Sequence, residues 1–357
     1  MKTGIIGLAQ VGKTSLFQIL THAHLDARAA HGMHVGVAKV PDERLDKLAP
    51  LYKPKKTTHA TVEYVDVGGL VHDRAKDSAY LTQLRQVDAL AHVVRMFDDA
   101  ANPHPAGTLD AVRDVDSVEL DLMLNDLEQI ARRAERLGKD LKKKPDPALE
   151  RELALLTRCR QSLEAERPLR ELNFQADEAK VLGSFMFLSQ KPMLYVINLS
   201  DNEAPDVDRV AEKYGLEKLA ARPHTAVVGI CGRIEAELAA LDDAEAAELM
   251  QAYGLKESGL ARLIRATYKL LGLISFFTCG ETECRAWTIE RGSTAHAAAG
   301  AIHTDIQRGF IKAEVVRWDH LLAGGGTAGA REQGHFKLEG KDYVVEDGDT
   351  ILFRHSG

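Results

Sequence analysis

The spacing that decides the fold of this chain is G-x-x-x-x-G-K-T, found in the stretch Gly7-Leu8-Ala9-Gln10-Val11-Gly12-Lys13-Thr14-Ser15. A short apolar run at 4–6 precedes it and a helical pattern at 16–20 follows it, so we predict a strand, a loop and a helix in that order. The two glycines allow backbone angles that let successive N–H groups curl around a phosphate. The stretch therefore predicts a phosphate-binding P-loop that opens an α/β domain.

Two side chains of this loop carry specific chemistry. We expect Lys13 to contact the β- and γ-phosphates of a nucleotide, and the Thr14 hydroxyl to bind Mg²⁺. The helix that begins near Lys13 would point its positive end at the same anion. The other residues of the predicted phosphate site are Gln10, Val11, Gly12 and Ser15.

The composition is that of an ordinary globular protein. A chain of 357 residues with 45% hydrophobic and 28% charged residues predicts two or three domains. The net charge of −7 does not favour autonomous RNA binding, and the four cysteines have no paired metal-ligand spacing, so we interpret them as reduced structural thiols. No apolar run approaches the ~18 residues of a membrane span, and the chain starts with a strand and not with a leader pattern. We expect a cytoplasmic monomer without membrane association.

A second motif follows the predicted strand at 61–67. This strand ends in Asp66-Val67-Gly68-Gly69, a D-x-x-G sequence. In a P-loop protein Asp66 would hold Mg²⁺ through a water molecule, and the Gly69 N–H would meet the γ-phosphate. Leu70 comes next, where many GTPases carry a glutamine that orients the attacking water. Because a leucine cannot do this, any catalytic group must come from elsewhere in the chain.

Later strands predict the part of the site that contacts the base. The strand at 192–198 ends in Asn198-Leu199-Ser200-Asp201, where GTPases have N-K-x-D and the aspartate reads guanine. A strand at 226–230 leads into Cys231 at the place of a second base-contacting turn. Repeated strand–loop–helix units predict a doubly wound sheet with its ligand at the carboxyl edge of the strands.

Two further regions differ in pattern from this sheet. From 108 to about 175 the sequence is charged with helical periodicity, which predicts two antiparallel helices joined by a basic turn. The lysines at 142–144 in that turn could meet RNA phosphate or could simply face solvent. From 274 the chain reads as short alternating strands with turn residues between them. We predict a P-loop NTPase domain at 1–273 with a helical coiled-coil insertion at about 108–175, and a small β-grasp-like domain at 274–357.

Taken together, these motifs resemble the Obg-related ATPase family of YchF type, the Obg-like ATPases. The resemblance extends nearly from end to end, and it is specific in 4–20, 41–69, 87–97 and 234–273. The sequences at 285–289, 299–305 and 339–345 look like the TGS domain of that family. The resemblance implies an ATPase with Mg²⁺, a TGS domain at 274–357, and association with ribosomes or ribosomal RNA.

By position, the resemblance also implies roles for single residues. Asn198 and Leu199 would face the adenine, and Leu70 matches the hydrophobic residue that the family has in place of glutamine. His104, in the loop at 98–107, aligns with a loop histidine that the family is thought to use in hydrolysis.

The chain departs from the family pattern in both switch regions and at the base. Asp201 stands where the family has a glutamate, and its shorter side chain is more like that of a GTPase. Ala30 aligns with the threonine of the first switch, and 72–77 replaces a glycine-rich second switch. Three functions therefore remain open: a ribosome-associated hydrolase that turns over ATP slowly, a GTP-preferring GTPase, and a nucleotide-dependent ribosome- or RNA-binding module with negligible hydrolysis.

Overall fold

The computed structural model describes residues 1–22, 34–67 and 78–356. The chain divides into two compact units, the first made of Met1–Gly36 and Glu63–Ala266 and the second of Val37–Val62 and Thr267–Gly357. Among the described residues, no helix is both long enough and apolar enough to cross a bilayer.

A six-stranded sheet carries the first unit. Its strands are β1 (Lys2–Ile6), β2 (His34–Lys39), β4 (Thr61–Asp66), β5 (Ala89–Met96), β6 (Met193–Leu199) and β7 (Thr225–Ile230). Their order in the sheet is β2-β4-β1-β5-β6-β7, and the run from β4 to β7 is parallel throughout. Since β1 lies between β4 and β5, the chain leaves β1 towards one edge and later returns to its other side. This is the topological switch point at which parallel α/β sheets bind their ligands.

The helices of the first unit cover both faces of this sheet. They are α1 (Lys13–Thr21), α3 (Ser78–Arg85), α4 (Ala111–Lys143), α5 (Pro147–Glu164), α6 (Ala176–Gly183), α7 (Val210–Lys213), α8 (Glu217–Ala220), α9 (Gly232–Leu238), α10 (Asp243–Ala252) and α11 (Gly259–Leu270), with 3₁₀ turns at Leu169–Glu171 and Asp201–Arg209. Every residue of β6 is buried, as is typical of a parallel strand packed on both faces. The predicted doubly wound α/β fold is confirmed.

The long helices α4 and α5 form the predicted inserted hairpin. The Asp146 side chain accepts a hydrogen bond from the Ala148 N–H, and Pro147 occupies the first helical turn, so α5 has a well-defined start. The two helices pack through a cluster of their own apolar side chains, which includes Ile130, Leu137 and Leu156.

A buried polar network ties the root of this hairpin to the sheet. The Arg170 guanidinium donates to both carboxylate oxygens of Glu119 on α4, at 3.0 and 2.9 Å. The Tyr195 hydroxyl of β6 donates to the same carboxylate at 2.6 Å. Arg170 and Glu119 are 3% and 5% exposed, so the pair is a buried one. Burial and the neighbouring Glu119 raise the pKa of Tyr195 well above its usual value, which keeps its hydroxyl a donor.

The second unit is a mixed sheet with short helices. Its strands are β3 (Lys56–Thr58), β8 (Leu273–Cys279), β9 (Glu283–Glu290), β10 (Phe310–Arg317), β11 (Lys337–Glu339) and β12 (Asp349–His355). Its helices are α2 (Glu43–Tyr52), α12 (Ala295–Ile302), α13 (Thr304–Arg308), α14 (Trp318–Ala323) and α15 (Thr327–Glu332). The strand order is β11-β10-β12-β8-β9-β3, parallel where β12 meets β8 and where β3 meets β9. Its core contains Ile274, Phe276, Ala298 and Val315.

The segment 37–62 groups with this second unit, although the sequence-based division placed it inside 1–273. Arg44 pairs with Asp347 at 3.0 Å, the Tyr52 hydroxyl lies 2.8 Å from Thr327 Oγ1, and β3 pairs with β9. Partners more than 200 positions apart along the chain leave no local pattern in a sequence, which is why the division did not include them.

Secondary structure in the C-terminal part is also richer than the sequence predicted. The hairpin of β8 and β9 and the four helices after it were not expected. The short alternating strands predicted from 274 also included 343–345, and this part was wrong, since Val344 makes only an isolated bridge to Thr294.

Candidate nucleotide site

The backbone of 7–12 has the turn that a phosphate cradle requires. Gly7 has φ +142°, and a Cβ added there would collide with the Val93 carbonyl oxygen of β5. Gln10 and Gly12 are left-handed, with φ 59° and 96°. A left-handed residue next to right-handed ones turns consecutive N–H groups towards one point. The loop thus follows β1 as a concave surface lined by donors.

The N-terminus of α1 is open to an anion. Gly12 is its N-cap without any side-chain hydrogen bond, and the first turn carries no acidic residue. The first N–H groups of a helix have no partner inside the helix, and the helix dipole favours negative charge there. Thr14 and Ser15 are exposed at this end, as a phosphate site needs.

Lys13 lies folded into the loop with its charge poorly solvated. Its ammonium donates to the Leu8 carbonyl of the same loop, and the side chain is buried. Burial lowers the pKa of Lys13 to about 8, and the nearby Asp66 carboxylate opposes part of this shift. Behind it, burial and the charge of Lys13 lower the pKa of His92 to about 3, so the imidazole stays neutral. The charged Lys13 ammonium is therefore poorly stabilised in this position, and a contact with a phosphate would stabilise it.

This lowered pKa predicts a pH dependence for nucleotide affinity. A bound triphosphate favours the charged ammonium, so the pKa of Lys13 is higher in the complex and binding takes up a proton above about pH 8. We expect the affinity for Mg²⁺-ATP to be constant near pH 7 and to fall above pH 8, by up to about tenfold per pH unit. Isothermal titration between about pH 7 and 9.5 measures this.

The matched control is Lys13→Arg, because a guanidinium keeps its charge over this range. Its affinity is expected to be flat with pH, whatever its absolute value. A flat profile for the native chain, or an equal slope in the Arg variant, would show that Lys13 does not cause the dependence.

Two oxygen ligands suited to Mg²⁺ meet beside the loop. The Thr14 hydroxyl of α1 donates to Asp66 Oδ2, at the end of β4, at 3.0 Å. Hard oxygen donors of this kind fit Mg²⁺, which takes few protein ligands and fills its other positions with water and phosphate oxygens. Within the described residues no cluster of three or more His, Cys, Asp or Glu could hold a metal by itself. The residues therefore fit an ion bound together with a nucleotide.

A cavity of about 520 Å³ continues from the P-loop along the carboxyl ends of β5, β6 and β7. One wall is formed by α1 and Phe97–Asp99, and the other by the residues that follow β6 and β7. The predicted base-site residues Asn198, Leu199 and Asp201 line it, and so do Gly12 and Ser15. The structure thus brings Gly12 and Ser15 of the predicted phosphate site to the same cavity as Asn198, Leu199 and Asp201 of the predicted base site.

Asn198 is held inside this cavity wall by the backbone on both sides. Its Nδ2 donates to the Val11 carbonyl at 3.2 Å, and its Oδ1 accepts the Gly232 N–H at 3.0 Å. A Cβ on Gly12 would lie 2.8 Å from Asn198 Nδ2, so the glycine is needed for this close packing. Asn198 therefore joins the P-loop to the N-terminus of α9, and these two bonds leave one amide N–H and one oxygen lone pair for a base.

The neighbouring residues set the polarity of the base region. Leu199 is 2% exposed and presents an aliphatic surface where GTPases have a lysine. Asp201 Oδ2 lies 3.4 Å from Arg233 Nε, so its carboxylate already has a cationic partner. Cys231 is buried with its thiol 3.6 Å from the Ser200 carbonyl, and burial raises its pKa to about 12. Cys231 thus packs the turn as an unreactive thiol.

His104 is placed away from the cavity lining. It is 8% exposed, its Nδ1 accepts the Ala106 N–H at 3.2 Å, and its Nε2 lies 3.0 Å from Asp114 Oδ2 on α4. Both ring nitrogens therefore face groups of the loop and helix next to it. Of the other predicted switch residues, Ala30, Gly69, Leu70 and 72–77 lie outside the described residues.

Several residues of this site were not predicted from the sequence. Arg95 is 1% exposed in β5, a strand whose other side chains are apolar except for His92, and Phe97, Asp98 and Arg233 line the cavity. A charged residue within a buried parallel strand is a signal that was available, since such charges require partners. The loop residues carry no comparable signal.

Comparison with known proteins agrees with this site. Residues 2–136 match a family profile described as "50S ribosome-binding GTPase", and residues 273–356 match the YchF-GTPase_C profile, described as "Protein of unknown function (DUF933)". The "Ribosome-binding ATPase YchF" of Bacillus subtilis (strain 168) is 40% identical over 362 residues, covering 99% of each chain. That of Escherichia coli O157:H7 is 40% identical over 363 residues, covering 99% of this chain and 98% of the relative.

A solved structure agrees over nearly the whole chain. The YchF GTPase of Schizosaccharomyces pombe superposes with a TM-score of 0.86 at 30% identity, covering 99% of this chain and 97% of that one. The family resemblance inferred from the motifs is confirmed. With a P-loop, an adjacent threonine–aspartate pair and end-to-end identity to these relatives, this chain belongs to the YchF family of P-loop nucleotide hydrolases.

Proposed function

We propose that this chain is a cytoplasmic, Mg²⁺-dependent ATPase of slow turnover that associates with the ribosome and works as a monomer. The observation that carries the enzymatic part is the placement of Lys13 and the Thr14–Asp66 pair at one end of the phosphate cradle. Ribosome association is supported by the names of the relatives, which are called ribosome-binding ATPases. The division into a P-loop domain with its helical insertion and a TGS domain at 274–357, the latter grouped with the segment 37–62, belongs to the same proposal.

Different residues of the cradle bind the phosphates and the Mg²⁺ ion of the nucleotide. The N–H groups at the start of α1 hold the phosphates, and Lys13 leaves the Leu8 carbonyl to contact them. Thr14 and Asp66 would hold Mg²⁺, which neutralises charge developing on the phosphate oxygens when bound. The Asn198 bridge keeps the P-loop in position while these contacts form.

Slow turnover follows from the residues available to the attacking water. Leu70 has no group that could orient it. His104 could do so only after its ring leaves Asp114, since Nε2 faces that carboxylate at 3.0 Å. A catalytic role for His104 therefore requires a rearrangement of the loop at 98–107 before the chemical step.

The base region supports adenine over guanine. Guanine recognition needs a carboxylate free to accept two N–H groups, whereas Asp201 lies next to Arg233. Leu199 offers apolar contact, which suits either purine but replaces the lysine of the guanine-specific motif. The missing lysine removes an interaction that a GTPase would use, and Arg233 competes with guanine for the Asp201 carboxylate. Neither feature acts against ATP.

We expect the native chain to bind ATP more tightly than GTP, and Asp201→Asn to leave the ATP affinity within about twofold. If the Asp201 carboxylate did read guanine, its loss would weaken GTP binding by roughly 10- to 100-fold, the effect of removing hydrogen bonds to a charged group. Titration of both chains with both nucleotides measures this. Tighter GTP binding that Asp201→Asn abolishes would make the chain a GTPase.

A second candidate function is a nucleotide-dependent binding module with negligible hydrolysis. The contact of His104 with Asp114 favours it, because it holds the predicted catalytic histidine away from the lining of the cavity. Single-turnover hydrolysis by the native chain separates the two functions, since tight binding without phosphate release would select the module.

A further inference from the structure

Arg95 links two loops that the proposed reaction needs. The residue lies near the carboxyl end of β5, in the middle of the sheet, with 1% of its surface exposed. Its Nη1 donates to the Gln10 carbonyl of the P-loop at 3.2 Å and to the Asn102 carbonyl at 2.8 Å. Asn102 stands two positions before His104. One guanidinium nitrogen therefore holds the phosphate cradle and the histidine loop together.

The rest of the side chain fixes this nitrogen in place. Arg95 Nε donates to the Phe97 carbonyl at 2.9 Å, at the start of the same loop. The guanidinium carbon lies 4.6 Å from the centre of the Phe97 ring, and Phe97 lines the cavity. A planar group with donors on two sides and an aromatic ring against its face has little freedom to turn. The Arg95 guanidinium is thus held in one orientation.

The partner on the P-loop is a backbone group of unusual conformation. Gln10 is left-handed, with φ 59°, a conformation that a non-glycine residue adopts at an energetic cost. A charge-assisted hydrogen bond to its carbonyl offsets that cost. Because the peptide that carries this carbonyl also carries the Val11 N–H, Arg95 acts on one of the donors of the cradle.

We infer that Arg95 is a positioning residue that couples nucleotide binding at the P-loop to the order of the loop at 98–107, which carries His104. This inference rests on the proposed function for its effect on hydrolysis, while the coupling itself requires only nucleotide binding. The Arg95 guanidinium donates hydrogen bonds to carbonyl oxygens of both loops. If one loop moves, the guanidinium moves with it and changes its hydrogen bond to the other loop.

The test compares Arg95→Lys with the native chain by hydrogen exchange, with and without Mg²⁺-ATP. A lysine keeps the charge but cannot donate in the fork geometry that reaches Phe97 and both loops. In the native chain, nucleotide is expected to slow exchange of the amides at 98–107. In Arg95→Lys this protection of 98–107 is expected to be lost, while protection of the P-loop amides remains.

Arg262→Lys is the matched control. Arg262 is also largely buried and donates to a strand carbonyl, that of Gly229, at 3.1 Å. Its partners Gly229, Asp208 and Glu257 belong neither to the P-loop nor to the loop at 98–107, so its substitution should leave the protection of 98–107 unchanged. A melting curve for each variant shows that the comparison is between folded proteins.

Hydrolysis provides the second readout. We expect Arg95→Lys to lower the single-turnover rate by on the order of tenfold, with a smaller change in nucleotide affinity. The reason is that the substitution misplaces the loop that carries His104 but removes no contact with the nucleotide. Adding His104→Ala to Arg95→Lys should then cost little more than His104→Ala alone, since residues that act as a unit are not additive. A merely structural role would give additive losses.

Two results would overturn the inference: exchange at 98–107 that does not respond to nucleotide in the native chain, or a response that persists in Arg95→Lys. Absence of hydrolysis in the native chain would refute the proposed enzyme instead. If Arg95→Lys does not fold, Arg95→Gln takes its place, since its amide keeps two N–H donors without the guanidinium fork. A nucleotide response at 98–107 that persists in Arg95→Gln would likewise overturn the inference.

Discussion

Lys13→Met is expected to lower the single-turnover rate of ATP hydrolysis by roughly 10²- to 10³-fold, the cost of removing one preorganised charged donor from a phosphate site. The ammonium is aimed into the cradle, where it donates to Leu8 and has a pKa lowered to about 8 by burial. Methionine fills the same volume without the charge. The variant should fold at least as stably as the native chain, because a buried charge is removed.

Lys2→Met is the control for this substitution. Lys2 lies at the start of β1, the strand that leads into the P-loop, and its side chain is 44% exposed and 4.0 Å from Glu63. Its rate should equal that of the native chain. Equal phosphate release by Lys13→Met and Lys2→Met would mean that hydrolysis takes place at another site.

The largest expected effect on stability comes from Arg170→Met. This change leaves the Glu119 carboxylate buried beside Tyr195 without its cation, and breaking a buried pair in this way costs about 3–5 kcal/mol of unfolding free energy. Chemical denaturation followed by the helical signal measures it. Since the pair joins α4 to the sheet, hydrogen exchange of α4 should rise as well.

Two further variants distinguish the buried pair from a general effect of losing an arginine. Arg167→Met removes an exposed guanidinium, 57% accessible and 3.7 Å from Glu171, and should change the unfolding free energy by less than about 1 kcal/mol. Glu119→Leu combined with Arg170→Met should recover much of the loss, because no unpaired buried charge remains. If Arg170→Met behaves like Arg167→Met, the network does not stabilise the hairpin.

The elements of the fold that local pattern determines could be predicted from the sequence. Gly7, Gly12 and Lys13 at their spacing predicted the turn between β1 and α1, and apolar runs predicted β6 and β7 within one residue at most of their ends. Charged helical periodicity predicted the hairpin of α4 and α5. In each case the signal lies within one element or between neighbours in the chain.

Features that depend on distant partners could not be predicted. The pairing of β3 with β9 brings segment 37–62 to the second unit, and the Arg44–Asp347 pair joins residues far apart in the chain. Likewise, the motif placed Asn198 at the base site, but only the structure shows both ends of its amide bound to Val11 and Gly232. Side-chain orientation is set by neighbours in space, and a motif names the residue without naming those neighbours.

In the candidate site, too, the motifs predicted some features and tertiary packing determined the others. The structure brings together Thr14 and Asp66, which the two motifs placed at one Mg²⁺ site. By contrast, nothing in the sequence indicated that His104 faces Asp114, ten positions further along, or that Arg95 spans two loops. Both contacts depend on tertiary packing.

Single-turnover phosphate release, with the protein in excess over Mg²⁺-ATP, shows directly whether this chain hydrolyses ATP at the P-loop. We expect slow release above the protein-free rate that requires Mg²⁺ and disappears in Lys13→Met. Tight ATP binding with release no faster than the protein-free control would contradict this expectation.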